Sequence, residues 1–580
     1  MSIESTAIRR KSFKLHKAIL GVSLALTAFA GVDANRKVLG QARNVDNGTN
    51  LTANDAVTAG AFTQLTFNTA GKTLTVTAAG GANITGEVIM TTNGTIDING
   101  NRTSTISGDI SGAANLTLDQ GGANSGTINL QGAKTLTGDI ILAASGAGDL
   151  TVTINNDTGL GTTAGSTTIV ADTTLDIQGA DVGDETINLN GGTLEASTGT
   201  STFSGDLTLG AASNISADAG ATLTLDKAGD RITGNFALTK LGAGTVVIST
   251  GNTSTAQINV NAGTLAVTDT DGLGTIAGAT VINDGGTLDL RNVTLAVNEP
   301  ININNGGTLQ TSTGTSNSAA GAVTLSGRST IDVTGTQLTV GGAIGGAAAG
   351  FDKTGAGTLV LGAVNTYTGA TTVSGGTLQF GVANALPANN RVDVNSGTLD
   401  LGGYDQQLQS LVLSNGTIEA GDSSDSSGVL SVENDVLSRG GTINAELSGS
   451  KGLIAESGTT EINIPSTYTG STQIHEGAQL VAGAENVLSD QSAFEIEGEL
   501  LLNADNAISS ISGGGDVNLD RSQLTLSVAP DVEQRFEGRF LGANVRNDSV
   551  DAGSLVKTGE GTLVLKELNK AYGNGSFTGD

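Results

Sequence analysis

At 580 residues, with a net charge of −29, 86 glycines, 3% aromatic residues and no cysteine or tryptophan, the chain excludes several classes at once. Its 56 acidic against 27 basic residues disfavour nucleic acid and anionic membrane as partners, and so few large aromatics do not build the cores of several globular domains. Hydrophobic residues nevertheless reach 37% and fall in short regular alternations that a disordered chain lacks.

The first element is basic and then apolar. Arg9, Arg10, Lys11, Lys14 and Lys17 precede the run "AILGVSLALTAFA", Ala18 to Ala30. A charged region, an apolar stretch too short to span a bilayer, and the small residues Ala28 and Ala30 make residues 1–30 a secretory signal peptide, cut after Ala30. Cleavage after Ala34, behind Val32-Asp33-Ala34, is the alternative. No later segment reaches ~18 consecutive apolar residues. An exported chain without cysteine must be held together by something other than disulfides. Residues 31–66 are more polar and less periodic, and read as an N-terminal cap or irregular lead-in, which an open strand edge needs.

From residue 67 onward one small phrase returns. Gly94-Thr95-Ile96-Asp97-Ile98, Gly263-Thr264-Leu265-Ala266-Val267, Gly286-Thr287-Leu288-Asp289-Leu290 and Gly397-Thr398-Leu399-Asp400-Leu401 each place apolar side chains at every second position. That period is a strand, and the glycine in front supplies a turn. Spacing sets the architecture. Thr264, Thr287 and Thr308 are 23 and 21 residues apart; Thr377, Thr398, Thr417 and Thr442 are 21, 19 and 25 apart. Repeats of this length with short strands and glycine turns predict an all-β chain: the stacked coils of a long parallel β-helix, or β-solenoid, over residues 67–580. Four prolines and no linker-like run disfavour an array of β-sandwiches.

A longer period lies above the coil. The phrase "KTGAGTLVL" around Gly357 returns as "KLGAGTVVI" at Gly244 and "KTGEGTLVL" at Gly561, with degenerate copies at Gly126 and Gly458; the intervals are 118, 113, 101 and 103 residues. Leu160, Leu273, Leu386 and Leu488 repeat the frame at 113, 113 and 102. About five coils therefore make one superunit, and the chain ends inside a copy.

The residues that define the phrase are Gly244 and Thr245 in one copy, Gly357, Thr358, Tyr367, Gly369, Gly376 and Thr377 in the fullest, and Gly561 and Thr562 in the last. Their arrangement at 353–381, and less completely at 238–267, 456–480 and 555–580, resembles the passenger-associated transport repeat, also called the autotransporter-associated β-strand repeat, of Gram-negative type V secretion. The resemblance implies a right-handed β-helix, export by the general secretory route, and an outer-membrane β-barrel as partner. It also implies a repeat that aids the passenger's own secretion and folding. No series of amphipathic membrane strands follows the last copy, so the barrel is expected outside this chain. The expected location is the cell surface or outside the cell, or the periplasm if the barrel is missing.

Chemistry is sparse. Only His475 remains beyond the signal peptide. "GDSSDSSG", Gly421 to Gly428, is similar to the Gly-Asp-Ser-Gly of chymotrypsin-like proteases, but Ser424 stands where the second glycine belongs. Glu495, Glu497 and Glu499 alternate along a strand like a solvated face. Asp269-Thr270-Asp271-Gly272 lacks a third calcium ligand and the closing glutamate, and Gly513-Gly514-Gly515-Asp516 is not tandem. The expectation is a monomeric, non-enzymatic surface passenger without cofactor or metal, structural or adhesive, with an unidentified host or extracellular ligand. The alternatives are a polysaccharide-acting β-helix hydrolase or lyase, and a remnant without function of its own.

Overall fold

Alternation of inward and outward side chains decides how each strand lies. In Gly286–Leu290 the side chains of Leu288 and Leu290 are buried and Thr287 faces outward. A strand this short cannot hold such a face alone; it is stabilised by an equivalent strand above and below. Thr245, Thr264, Thr287, Thr308 and Thr330 stack in register, each one coil from the next. Leu265, Leu288, Leu309 and Ile331 form the parallel inward ladder.

The computed structural model describes residues 41–44, 50–51, 62–76, 81–421, 428–542, 553–566 and 576–579, all within the compact unit Leu39–Asp580. The signal-peptide residues Ala28 and Ala30 lie outside them, as does most of the Gly421–Gly428 run. The described residues contain strands and no helix, so among them no helix is long and apolar enough to cross a membrane. One turn of the solenoid carries up to three strands. Phe62–Phe67, Lys72–Val76 and Asn83–Ile84 form one turn; Glu87–Met90, Gly94–Ile98 and Thr103–Ile106 form the next. Their pairing is parallel, with Leu65 beside Val88, Leu74 beside Ile96 and Ile84 beside Ile106. The longest sheet has 17 strands, a ladder of about 77 Å at ~4.8 Å per step.

The parallel ladder starts earlier than the sequence pattern indicates. Gln41–Asn44 already pairs with Phe62–Phe67, and Asn50–Leu51 with Thr75 and Val76. These segments lack the Gly-Thr-Leu phrase because parallel pairing is made by the backbone, which any sequence carries.

Adjacent coils are also joined at their corners by side chains. The Asp119, Asp139, Asp176 and Asp289 carboxylates accept from the backbone N–H and the hydroxyl of Ser145, Ser166, Ser197 and Ser312, one coil later, at 2.6–2.9 Å. Charge-assisted bonds of this kind are the stronger ones.

The superunit leucines sit where a strand is missing. One sheet ends at Thr135–Leu136, and its ladder resumes at Asp181–Val182 in the 17-stranded sheet. Between them an irregular segment carries buried Leu160, with Thr162 N–H bonded to the Leu136 carbonyl. A second sheet ends at Gly251–Asn252, and the next turn holds buried Leu273, with Thr275 N–H on the Ser254 carbonyl. A third ends at Ile344–Gly345 and is followed by two irregular segments, around Tyr367 and Leu386. Around Tyr468 and Leu488 the same two-step gap recurs after Glu446–Ser448. Each leucine fills the core where a strand's inward residues would otherwise stand.

Candidate functional site: the repeat corner

In the phrase from Lys353 to Thr377, the strand Gly350–Thr354 runs into a corner at Gly355-Ala356-Gly357 and leaves as Thr358–Leu361. The two glycines are needed for different reasons. Gly355 lies at φ +74°, and its counterparts Gly242 and Gly559 lie at +72° and +79°, a left-handed conformation that L side chains avoid. Gly357 has ordinary φ but no room: a Cβ there would overlap the Gly335 carbonyl oxygen on the coil below. Gly244 and Gly561 meet the carbonyl oxygens of Asp218 and Ala529 in the same way. Thr358, Thr245 and Thr562 then open outward-facing ladders, and Leu359 and Leu361 turn inward. One coil later, Gly376 and Thr377 repeat the arrangement, Thr377 pairing with Thr358.

The corner is closed by a lysine that sequence reasoning missed. Lys353 points inward, is 0% exposed, and donates to the carbonyls of Thr354 (2.8 Å), Gly355 (3.0 Å) and, from the next coil, Gly375 (3.0 Å). Lys240 does the same with Leu241 (2.7 Å), Gly242 (2.8 Å) and Ala262 (3.0 Å). Lys134, outside the phrase, reaches the carbonyls of Gly108 on the preceding coil and of Gln131 and Gly132 on its own. Burial pushes all three ammonium groups down to about 8. At neutral pH each stays charged and sets its three N–H donors against carbonyl oxygens. In the last copy Lys557 is half-exposed and donates to the Gly559 carbonyl at 2.6 Å.

The tyrosine of the phrase closes the missing-strand face. Tyr367 is buried, edge-on to Phe351 with ring centroids 5.5 Å apart. Its hydroxyl is 2.6 Å from Thr371 Oγ1, which donates to Asn390 Oδ1, while Asn390 Nδ2 donates to the Gly369 carbonyl. Burial raises the Tyr367 phenol far above its ordinary value. The degenerate copy keeps the network, with Tyr468, Thr472 and Ser492 in place of Tyr367, Thr371 and Asn390, and Gly470 supplying the carbonyl. Tyr367→Phe is expected to cost about 1–2 kcal/mol by leaving Thr371 with one partner fewer. Hydrogen exchange of residues 363–395 checks this, with the Tyr468 segment as the unchanged reference.

The residues considered for catalysis or metal binding lie apart from this arrangement. His475 and Glu497 are exposed at turns. Glu495 and Glu499 accept from Gln473 (3.1 Å) and Gln479 (2.9 Å) on neighbouring strands. Asp269 closes its own turn by accepting from Asp271 N–H at 2.9 Å, and Asp516 is paired with Arg539. Among the described residues no group of three or more histidine or acidic side chains is placed to hold a metal ion.

The family model of the passenger-associated-transport-repeat matches residues 238–267, 351–380 and 555–580. These spans hold the three corners built on Lys240, Lys353 and Lys557. No curated protein and no solved structure matches the chain. Three such repeats in a parallel β-solenoid fit the passenger of an autotransporter.

Proposed function

We propose that the chain is an exported, surface-displayed passenger whose role is structural or adhesive, without catalysis, and whose repeats assist its own secretion and folding. The observation that carries this reading is that the three matched repeats fall on solenoid corners, two of which, at Lys240 and Lys353, lock one coil onto the next. A corner whose lysine bonds are completed by the following coil favours sequential, coil-by-coil closure, since each closed turn presents an unpaired strand edge on which the next can pair. Such closure outside the membrane would oppose back-sliding. In this reading the partners are an outer-membrane β-barrel and an extracellular or host-surface ligand; nucleic acid is not one, and the passenger is a monomer.

Antibodies raised against the solenoid test display directly. Intact cells producing the chain are expected to bind them and to lose the epitope to external protease. Labelling that appears only after both membranes are broken would overturn the surface reading.

A further inference from the structure

Two glutamates are buried inside the solenoid with no cation paired to them among the described residues; the buried Asp176, by contrast, accepts from Ser197 N–H, Ser197 Oγ and Gln178. Glu185 is 5% exposed and Glu299 1%. They sit at matching places, each two residues before the first inward-facing residue of a strand (Ile187 and Ile301), just above an irregular segment that replaces a strand. Each accepts one hydroxyl from the coil below: Thr167 Oγ1 to Glu185 Oε1 at 3.0 Å, and Thr280 Oγ1 to Glu299 Oε1 at 3.1 Å. Glu299 Oε2 is buried and has no hydrogen-bond partner among the described residues.

The later half of the chain solves the same packing problem with neutral groups. There the hydroxyls of Thr371 and Thr472 meet Asn390 and Ser492, again two residues before Val392 and Phe494. The difference between halves is therefore ionisable against non-ionisable.

The surrounding charges do not neutralise the glutamates. Near Glu185, Asp139 on an earlier coil is bound by Ser166 and adds repulsion. Asp184 and Asp206 share Lys227, at 2.9 and 3.6 Å. Around Glu299, the irregular segment below carries Asp269 and Asp271, Arg291 on its own coil is held by Asp289 at 2.6 Å, and the coil above offers Gly321, Ala322 and Val323.

We propose that Glu185 and Glu299 make the first half of this solenoid pH-responsive: its corners are closed when both carboxyls are protonated and loosen when they ionise. An ionised carboxylate at these sites is desolvated and unpaired, which a protein interior disfavours strongly. Burial pushes both groups up to about 7, against the weaker opposing effect of the threonine hydroxyls and, at Glu299, of the Thr280 backbone N–H. Because the folded-state values lie above the ordinary carboxylate range, their contribution to stability is complete in acid and is lost as pH rises through about 7. This behaviour does not depend on the passenger reading.

Hydrogen exchange of the full chain between pH 5.5 and 8, corrected for intrinsic rates, tests it. Protection in windows 166–190 and 280–303 is expected to fall roughly tenfold or more per carboxylate, while windows around Asn390 and Ser492 change little. In a Glu185→Gln, Glu299→Gln chain the first two windows are expected to stay protected at pH 8. Equal pH dependence in all four windows, or its persistence in the double variant, would overturn the proposal. If the double variant does not fold, the comparison of windows within the unaltered chain decides alone.

Discussion

Replacing Lys353 with methionine is expected to destabilise its corner by about 3–5 kcal/mol, one of the largest single-residue effects in the solenoid. Methionine keeps most of the buried volume and removes the ammonium. The carbonyls of Thr354, Gly355 and Gly375 then lose their common donor inside a packed corner. Each buried carbonyl left unpaired costs about 1–3 kcal/mol before relaxation. Lys557→Met supplies the contrast, because that lysine is half-exposed and donates, among the described residues, to one carbonyl; its loss should stay below about 1 kcal/mol. A stack of coils opens locally rather than all at once, so the readout is hydrogen exchange across residues 330–380 rather than a single melting temperature. Equal effects at the two lysines would mean that burial of the ammonium is not what closes the corner.

Gly357→Ala is expected to have the second large effect, for a steric reason. The new Cβ would overlap the Gly335 carbonyl oxygen and lie against Val333, so the coils must part by several tenths of an ångström and weaken their ladder bonds. Overpacking of this kind costs about 1–3 kcal/mol, more where backbone is the obstacle. Gly477→Ala separates space from conformation. Gly477 has φ +81°, and a Cβ there would meet nothing within 4 Å, so alanine suffers only the left-handed strain of about 1–2 kcal/mol. Exchange protection of the flanking strands checks both, with the Gly357 variant losing protection on two coils and the Gly477 variant only at its own turn.

Much of the fold was legible because it is carried by backbone periodicity. The Gly-Thr-Leu phrase states a turn, an outward hydroxyl and an inward hydrophobe, and its spacing states the coil. Leu160, Leu273, Leu386 and Leu488 were visible as a frame, but their physical meaning was not: a missing strand leaves no mark in a sequence until pairing partners are known. The lysines escaped for a different reason. Lysine reads as a solvated residue, and nothing in Lys353 itself says that its stem runs inward. The only signal was positional, since Lys240, Lys353 and Lys557 all stand two residues before the first glycine of the corner. Glu185 and Glu299 were illegible one at a time, because a glutamate before a strand is ordinary; only the coil below shows them to be enclosed.

A continuous parallel ladder underlies every feature of the solenoid, and distances along one sheet test it most directly. Thr245, Thr330, Asp352 and Asp393 occupy one outward row, with Thr330 four coils, Asp352 five and Asp393 seven coils from Thr245. Spin labels at Thr245 and each of the other three, measured by pulsed electron–electron resonance, should give separations of about 19, 24 and 34 Å, rising by ~4.8 Å per coil. Separations that do not grow with the number of intervening coils would contradict the stacked solenoid and, with it, the repeat corner as a lock between turns.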